Sequence, residues 1–422
     1  MRPDYRAACL TATCLAALAS ADWTQFRGER GDGVALDCRP PLSWSPTENV
    51  RWRADVPGRG WSSPIVVDGE AWLTTSTKDG RALAGLAFDL ETGERTFERV
   101  LFEVAEPREI HTFNSYASPT PAADEDRVYL SWGSYGLAAV DHASREITWV
   151  RRDLPCRHWR GPGSSPVPVT TDKGPRLLMT YDGYDQQYAA CLDAATGETV
   201  WRTNRPADFG SDDGDQRKGY ATPLLLGADD GFEQPLVVSP TSFGVFAYGL
   251  TDGREVWRAK TERHSPACRP VLGTVGGEPR LFVAAGFGRG SVVAIDPRDG
   301  RVAWSQRKTM PSKPSPTLVG GRLYCVSDNG VLSVLDAATG QPTAQLRLGG
   351  NFSASPLLVS GPDGPALVAP DESGRTAIVS TGETPEVLAE NSLPSGVLAC
   401  PVPAGDGLLL RTRDALYLIA ED

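Results

Sequence analysis

One phrase recurs eight times along this chain, and it restricts the fold more than any other feature. It runs from a small residue and Pro through a β-run, a turn and a second β-run. It closes on a hydrophobic-x-Asp-x-x-Thr-Gly turn that leads to an aromatic residue. The opening prolines are read at Pro64, Pro119, Pro166, Pro223, Pro270, Pro316, Pro356 and Pro401, spaced 40 to 57 residues apart. The closing turn stands at Asp89-Leu90-Glu91-Thr92-Gly93, Asp193-Ala194-Ala195-Thr196-Gly197, Asp296-Pro297-Arg298-Asp299-Gly300 and Asp336-Ala337-Ala338-Thr339-Gly340. The following aromatic is Phe97, Trp149, Trp201, Trp257 or Trp304, and units seven and eight lack one.

Runs such as Arg127-Val128-Tyr129-Leu130-Ser131-Trp132 are β-branched or aromatic and bounded by turns, so each unit reads as a four-stranded antiparallel sheet. The turn suits Asp, which bonds back to the backbone, and Gly, which accepts positive φ. A sheet this small cannot bury both faces alone; radial stacking covers each face with the next sheet. The fold expected is all-β, an eight-bladed β-propeller. Its last unit ends at Leu416-Tyr417-Leu418-Ile419-Ala420-Glu421-Asp422 with no room for an outer strand. Thr47-Glu48-Asn49-Val50-Arg51-Trp52 aligns with Thr196 to Trp201, so an N-terminal strand is expected to complete that blade and remove a free edge. The organisation follows: 1–21 a signal peptide, 22–46 a lead-in segment, 47–422 one propeller domain.

Residues 1–21 have the form of a secretory signal: Arg2 and Arg6, a short apolar stretch from Ala7 to Ala19, and Ala19-Ser20-Ala21 before a cleavage point after Ala21. This implies a periplasmic or secreted protein. Thr11-Ala12-Thr13 ahead of Cys14 lacks the Leu of a lipoprotein signal. After residue 21 no apolar run approaches the roughly 20 residues of a membrane span. The formal charge of −11 argues against general nucleic-acid binding, which needs a basic face. Six cysteines follow the signal: Cys38, Cys156, Cys191, Cys268, Cys325 and Cys400. Their spacing fits no C-x-x-C metal or redox motif, and small buried residues with at most one or two bridges are expected.

The unit Val-x-Ala-x-Asp-x-x-x-Gly-x-x-x-Trp resembles the repeat of pyrroloquinoline-quinone-binding-like propellers. These include quinoprotein alcohol dehydrogenases and the propeller lipoprotein of the outer-membrane β-barrel assembly machine. The lead-in Asp22-Trp23-Thr24-Gln25-Phe26-Arg27-Gly28 with Gly31-Asp32-Gly33-Val34 is similar to that of secreted bacterial propellers, as are Gly58 to Pro64, Asn114 to Pro119 and Gly349 to Pro356. The resemblance covers 22–422. It implies the fold, not an activity. The dehydrogenases grip their quinone with adjacent cysteines, a stacking Trp and a calcium ion on acidic side chains; this chain has no adjacent cysteines and no matching acidic set.

In a propeller the loops before the opening prolines converge on one mouth of the channel. The eight residues before each Pro hold eight basic and two acidic residues, and three of the four histidines. The candidate site is therefore Arg59, Trp61, His111, Asn114, His158, Arg160, Arg217, Lys218, His264, Arg269, Lys313 and Asn351, with Phe113, Tyr116, Trp159, Tyr220 and Phe352 beside them. A cationic, aromatic-lined mouth suits an anionic or polar ligand such as a glycan, a carboxylate or an extended peptide. Other features read as structure. The three histidines come from different blades and carry no metal-ligand spacing. The acidic loop Asp208 to Asp215 lacks EF-hand spacing. Gly286-Phe287-Gly288-Arg289-Gly290 is followed by a β-run, so it is a hairpin turn and not a phosphate loop. The expectation is a non-catalytic binding or scaffold propeller with a protein partner or a polar ligand and no cofactor. The alternative is a pyrroloquinoline-quinone-dependent dehydrogenase-like enzyme carrying that quinone and calcium.

Overall fold

Proline fixes φ near −65° and cannot donate to a ladder, so it belongs at a strand's first edge. Strands begin directly after it at Ile65–Val67, Val167–Thr171, Leu224–Leu226 and Val271–Val275. The computed structural model describes residues 22–158, 160–205 and 211–421; residues 1–21, expected to be a signal peptide, Trp159 and Asp208 to Gly210 of the acidic loop lie outside them. The described strands form eight antiparallel sheets, each built from four consecutive positions running from the channel outward. We number the blades 1 to 8 from Ile65–Val67 onward. Blade 8 takes its outer strand from the N-terminus: Val50–Asp55 pairs antiparallel with Ala415–Ile419, with Trp52 opposite Leu418 and Asp55 opposite Ala415.

The second opening is corrected by two residues. Blade 2 begins at Ala122–Ala123, after Pro121 rather than Pro119. Ser118-Pro119-Thr120-Pro121 offers two openings two residues apart, and strand side chains repeat every two residues, so the pattern alone could not separate them.

The repeated turn and the aromatic that follows it form one device between neighbouring blades. Asp193 Oδ1 accepts the N–H groups of Ala195 and Thr196, each at 3.0 Å, and Gly197 closes the turn at φ 76°. The carbonyl of the residue after that Asp is thereby turned outward, and the preceding blade's indole donates to it. Trp149 Nε1 reaches Ala194, Trp201 reaches Leu250, Trp257 reaches Pro297, Trp304 reaches Ala337, and Trp52 of blade 8 reaches Leu90 of blade 1, over 2.7 to 3.1 Å. The indole also lies flat on the turn's glycine: a Cβ on Gly197 would come within 2.7 Å of the Trp149 ring. A register shift just before each Trp turns it toward its neighbour. Phe97 takes this position in blade 1. Ala344 and Ala389 take it in blades 6 and 7, so the aromatic is missing from these two and not, as expected, from the seventh and eighth units; the N-terminal strand brings Trp52 to it in blade 8.

Residues 22–46, read from the sequence as a lead-in ahead of the propeller, run through its channel. Trp23 exchanges backbone bonds with Val66 of blade 1, and Thr24 O accepts from Ala123 of blade 2. Farther on, Val34–Ala35 pairs parallel with Leu358 and Val359, giving blade 7 a fifth strand. Cys38 and Trp44 are buried; Cys38 Sγ donates to Gly407 O of blade 8 at 3.3 Å, and Asn391 of blade 7 accepts from Trp44 N at 2.8 Å. Arg27, at φ 65°, is the pin of this segment. Its guanidinium donates to Gly31 O, Asp32 O, Pro316 O of blade 6 and Pro356 O of blade 7. Gly31 leaves room for a second arginine: its Cβ would fall 2.5 Å from the guanidinium of Arg269.

The six cysteines are buried, unpaired thiols. Gly286 to Gly290 does connect two antiparallel strands, Glu278–Ala285 and Ser291–Ile295. Among the described residues no helix is long and apolar enough to cross a membrane.

Candidate binding site at the channel mouth

The residue before each opening proline faces the next blade, and its chemistry builds a ring. Ser63 N donates to Thr120 Oγ1, Thr120 N to Ser165 Oγ and Ser165 N to Thr222 Oγ1, each at 3.0 Å. On the other side Arg269 N donates to Ser315 Oγ, Ser315 N to Ser355 Oγ, Ser355 N to Cys400 Sγ and Cys400 N to Ser63 Oγ, over 2.9 to 3.1 Å. The sequence shows this as a hydroxyl or thiol before Pro in seven units. The eighth carries Arg269, so the link from blade 4 to blade 5 is not made this way. Arg269 instead turns into the channel and donates to Phe26 O and to Gln25 Oε1 of the lead-in.

Above this ring lies a blind bowl of about 190 Å³ to which all eight blades contribute. The ring of Phe26, carried by the lead-in, closes it from below; Trp61, Phe113, Tyr220 and Phe287 form its aromatic walls. Phe113 reaches across the mouth from blade 2 and lies 5.9 Å from Lys313 Nζ of blade 6. Phe113 and Phe287 are exposed at the rim, 44% and 56%.

Four of the twelve sequence candidates line this bowl: Trp61, Asn114, Arg160 and Lys313. Their charges are already engaged. Arg160 grips Asp215 with two bonds of 2.7 and 3.0 Å, which holds its guanidinium protonated, and Lys313 Nζ sits 2.8 Å from Glu372. Asn114 ties blade 2 to blade 3 by donating to Arg160 O and Pro162 O, and Trp61 Nε1 donates to Phe113 O. Arg59 lies over the Trp61 ring and donates to Thr112 O and Asn114 O. Arg217 pairs with Asp212, and Asn351 is exposed outside the bowl. Of the cations expected at the mouth, Arg160, Arg217 and Lys313 are thus paired with carboxylates. The acidic loop supplies carboxylates to two of those arginines, and this neutralisation crosses 55 residues of sequence between Arg160 and Asp215.

The three histidines are separated. The His111 ring lies 4.2 Å from that of Phe113, tilted by 51°, and burial with Arg160 nearby lowers its pKa. His264 Nδ1 sits 3.0 Å from Ser265 Oγ. His158 lies in the loop ahead of blade 3 and packs back on blade 2, where its Nε2 accepts from Ser134 N at 3.0 Å. Its other ring nitrogen, Nδ1, lies 2.9 Å from Lys218 Nζ and 3.6 Å from Cys156 Sγ. Burial, then the charges of Lys218 and Arg108, hold the His158 pKa well below its usual value, and burial lowers that of Lys218. Beside them Asp182 and Arg205 form a fully buried ion pair. Among the described residues no three His, Cys, Asp or Glu side chains converge as a metal site.

Phe26, Phe287 and the hydroxyls before the prolines were missed as site residues. The hydroxyls stood in the sequence as a Ser or Thr before the opening proline in six units. Nothing local shows that Phe26 enters the channel.

A closed ring of eight such blades defines an eight-bladed β-propeller. Residues 242–393 match the family described as outer membrane protein assembly factor BamB. The chain is 24% identical over 249 residues to the outer membrane protein assembly factor BamB of Shewanella oneidensis, a match covering 54% of this chain and 56% of that protein. It thus spans about half the length of the curated relative it matches. Among solved structures it is similar to the quinohemoprotein alcohol dehydrogenase of Comamonas testosteroni, with TM-score 0.70, 12% identity, 95% of this chain and 81% of that one. It is also similar to BamB of Moraxella catarrhalis, with TM-score 0.54, 12% identity, 85% of this chain and 99% of that one. These likenesses to solved structures establish the fold.

The residues of the bowl do not fit pyrroloquinoline quinone held on calcium. Calcium needs six to eight oxygen ligands with carboxylates among them. Asp215 is the one carboxylate among the described lining residues, and Arg160 occupies both its oxygens.

Proposed function

We propose that this chain is a periplasmic or secreted propeller without chemistry of its own, a scaffold that docks a partner protein at the channel mouth and takes a protruding segment of it into the bowl. The blind bowl carries this reading. All eight blades and the lead-in build it, and its walls are aromatic. Aromatic side chains in a concave, largely desolvated pocket are the usual anchors of protein association. Among the described lining residues the one carboxylate, Asp215, is paired with Arg160, and the one amine, Lys313, with Glu372, which does not favour general acid–base catalysis there. The likeness to an outer membrane protein assembly factor supports a partner that is itself a protein. Together with the signal-like residues 1–21 it supports a location outside the cytoplasm.

The test is site-directed photo-crosslinking in cells that make the full chain. A benzophenone side chain at exposed Phe287 is expected to give a protein adduct, whereas one at exposed Leu388, on the outer strand of blade 7, is not. Ala267→Trp, which fills the bowl, is expected to abolish the adduct. Equal labelling at both positions, or none at Phe287, overturns the reading. So does a bound chromophore with dye-linked alcohol oxidation after incubation with the quinone and calcium.

A further inference from the structure

The floor of the bowl has an unbalanced hydrogen-bond inventory. Ser63, Thr120, Ser165, Thr222 and Ser355 line it, and each is at most 3% exposed. Each hydroxyl oxygen already accepts a backbone N–H from the adjoining blade. None of the five donates its own O–H to a protein acceptor among the described residues. A hydroxyl has one proton to give, and a buried donor left unmade is unfavourable. The ring thus presents a crown of hydroxyl protons around Phe26.

The charge beneath the crown has the same sign. Arg269 and Arg27 are buried and donate only to carbonyl and amide oxygens; neither makes an ion pair among the described residues. Asp32, whose backbone carbonyl Arg27 uses, directs its carboxylate to Arg30. Two guanidinium groups held by carbonyl and amide oxygens, with the single Asp32 carboxylate acting on both, leave a net positive charge beneath the mouth. At the rim Arg160, Arg217 and Lys313 are paired with carboxylates, whereas the two arginines beneath the floor are not.

We infer that the crown receives a carboxylate, an acceptor-only group of negative charge, whose apolar body lies against the aromatic walls. This rests on the reading of the bowl as a binding site and names the chemistry it takes. About 190 Å³ admits a group the size of a phenylpropionate and not a folded element. The carboxylate therefore belongs to a small free acid or to the C-terminus of a polypeptide.

Calorimetric titration of the full chain separates these sources. One arm compares 3-phenylpropionate with 3-phenylpropionamide; the other compares Ala-Ala-Phe with its C-terminal amide, so the body stays constant. The amide brings donors of its own to a crown of donors. A carboxylate preference of at least ten-fold is expected in one arm, in the peptide arm if a chain end is the ligand and in the other if a free acid is. Thr222→Val is expected to reduce that preference and Thr222→Ser to keep it. Equal affinity of acid and amide in both arms, or no binding in either, overturns the inference on the unaltered protein. A rim adduct at Phe287 in the face of that result would leave the docking reading standing and remove the carboxylate alone.

Discussion

Blades 2 to 6 and blades 6 to 8 cover the same faces with different parts. Along the first arc each blade offers an indole to the next, flat on a turn glycine and bonded to the carbonyl beside it. At the junctions from 6 to 7 and from 7 to 8 the indole position holds Ala344 and Ala389. There the lead-in supplies the material: a fifth strand on blade 7, Trp44 held by Asn391, and Cys38 against blade 8. The first arrangement repeats from neighbour to neighbour. The second depends on one segment far away in sequence, and that segment also floors the binding bowl. The indoles that join blades 2 to 6 do not line the bowl, whereas the lead-in that covers blades 7 and 8 does.

That difference can be tested from its strongest consequence downward. A chain beginning at Thr47 keeps the closing strand Val50–Asp55 but loses Trp23, Arg27, Cys38 and Trp44 from the interior. It is expected to lose cooperative unfolding in urea altogether, because several core side chains and a channel plug go at once. A cooperative transition near that of the full chain would break the contrast.

Trp257→Ala, within the repeating arc, is expected to cost about 3–5 kcal/mol, as for other large buried aromatics. Trp257→Phe keeps the packing and loses the bond to Pro297 O, at a cost of about 1–2 kcal/mol. Urea midpoints measure both: an unchanged midpoint in Trp257→Phe would show that the indole N–H contributes nothing, and an equal loss in the two variants would show that the packing does not.

A smaller effect concerns pH. Burial depresses the pKa of His158, so the unfolded chain takes up a proton below about 6.5 while the folded chain does not. Stability therefore rises with pH through that window and falls as pH drops below it. Denaturation at pH 7.5 and 5.0 is expected to show a flatter dependence in His158→Gln, by up to about 1.4 kcal/mol per pH unit. An unchanged slope would mean that the acid sensitivity arises elsewhere.

The smallest expected effect tests the neutralised rim. Lys313→Met, which removes one partner of a half-exposed ion pair with Glu372, is expected to shift stability by no more than about 1 kcal/mol. A larger loss would mark the pair as part of the bowl's framework.

Much of this was legible because it is written in consecutive residues. The Asp-x-x-Thr-Gly turn, the aromatic after it and the proline before each blade each need only a few neighbours, so the number of blades and the closure through Val50 to Trp52 followed from the sequence. Phe113 and Tyr220 could be placed near the mouth for the same reason. The charge state of the mouth could not, because Arg160 and Asp215 meet only when blades 3 and 4 stand side by side.

The sequence alone determined a ring of eight sheets closed by its own N-terminus, since strand period, turn chemistry and unit length are local properties. Tertiary structure alone decided that the lead-in enters the channel, that Phe26 floors the bowl and that its hydroxyls are left as donors. Arg27 finds its carbonyls at Pro316 and Pro356, 289 and 329 residues away. Contacts at that separation are set by where the closed ring brings the chain, and no short stretch of residues encodes them.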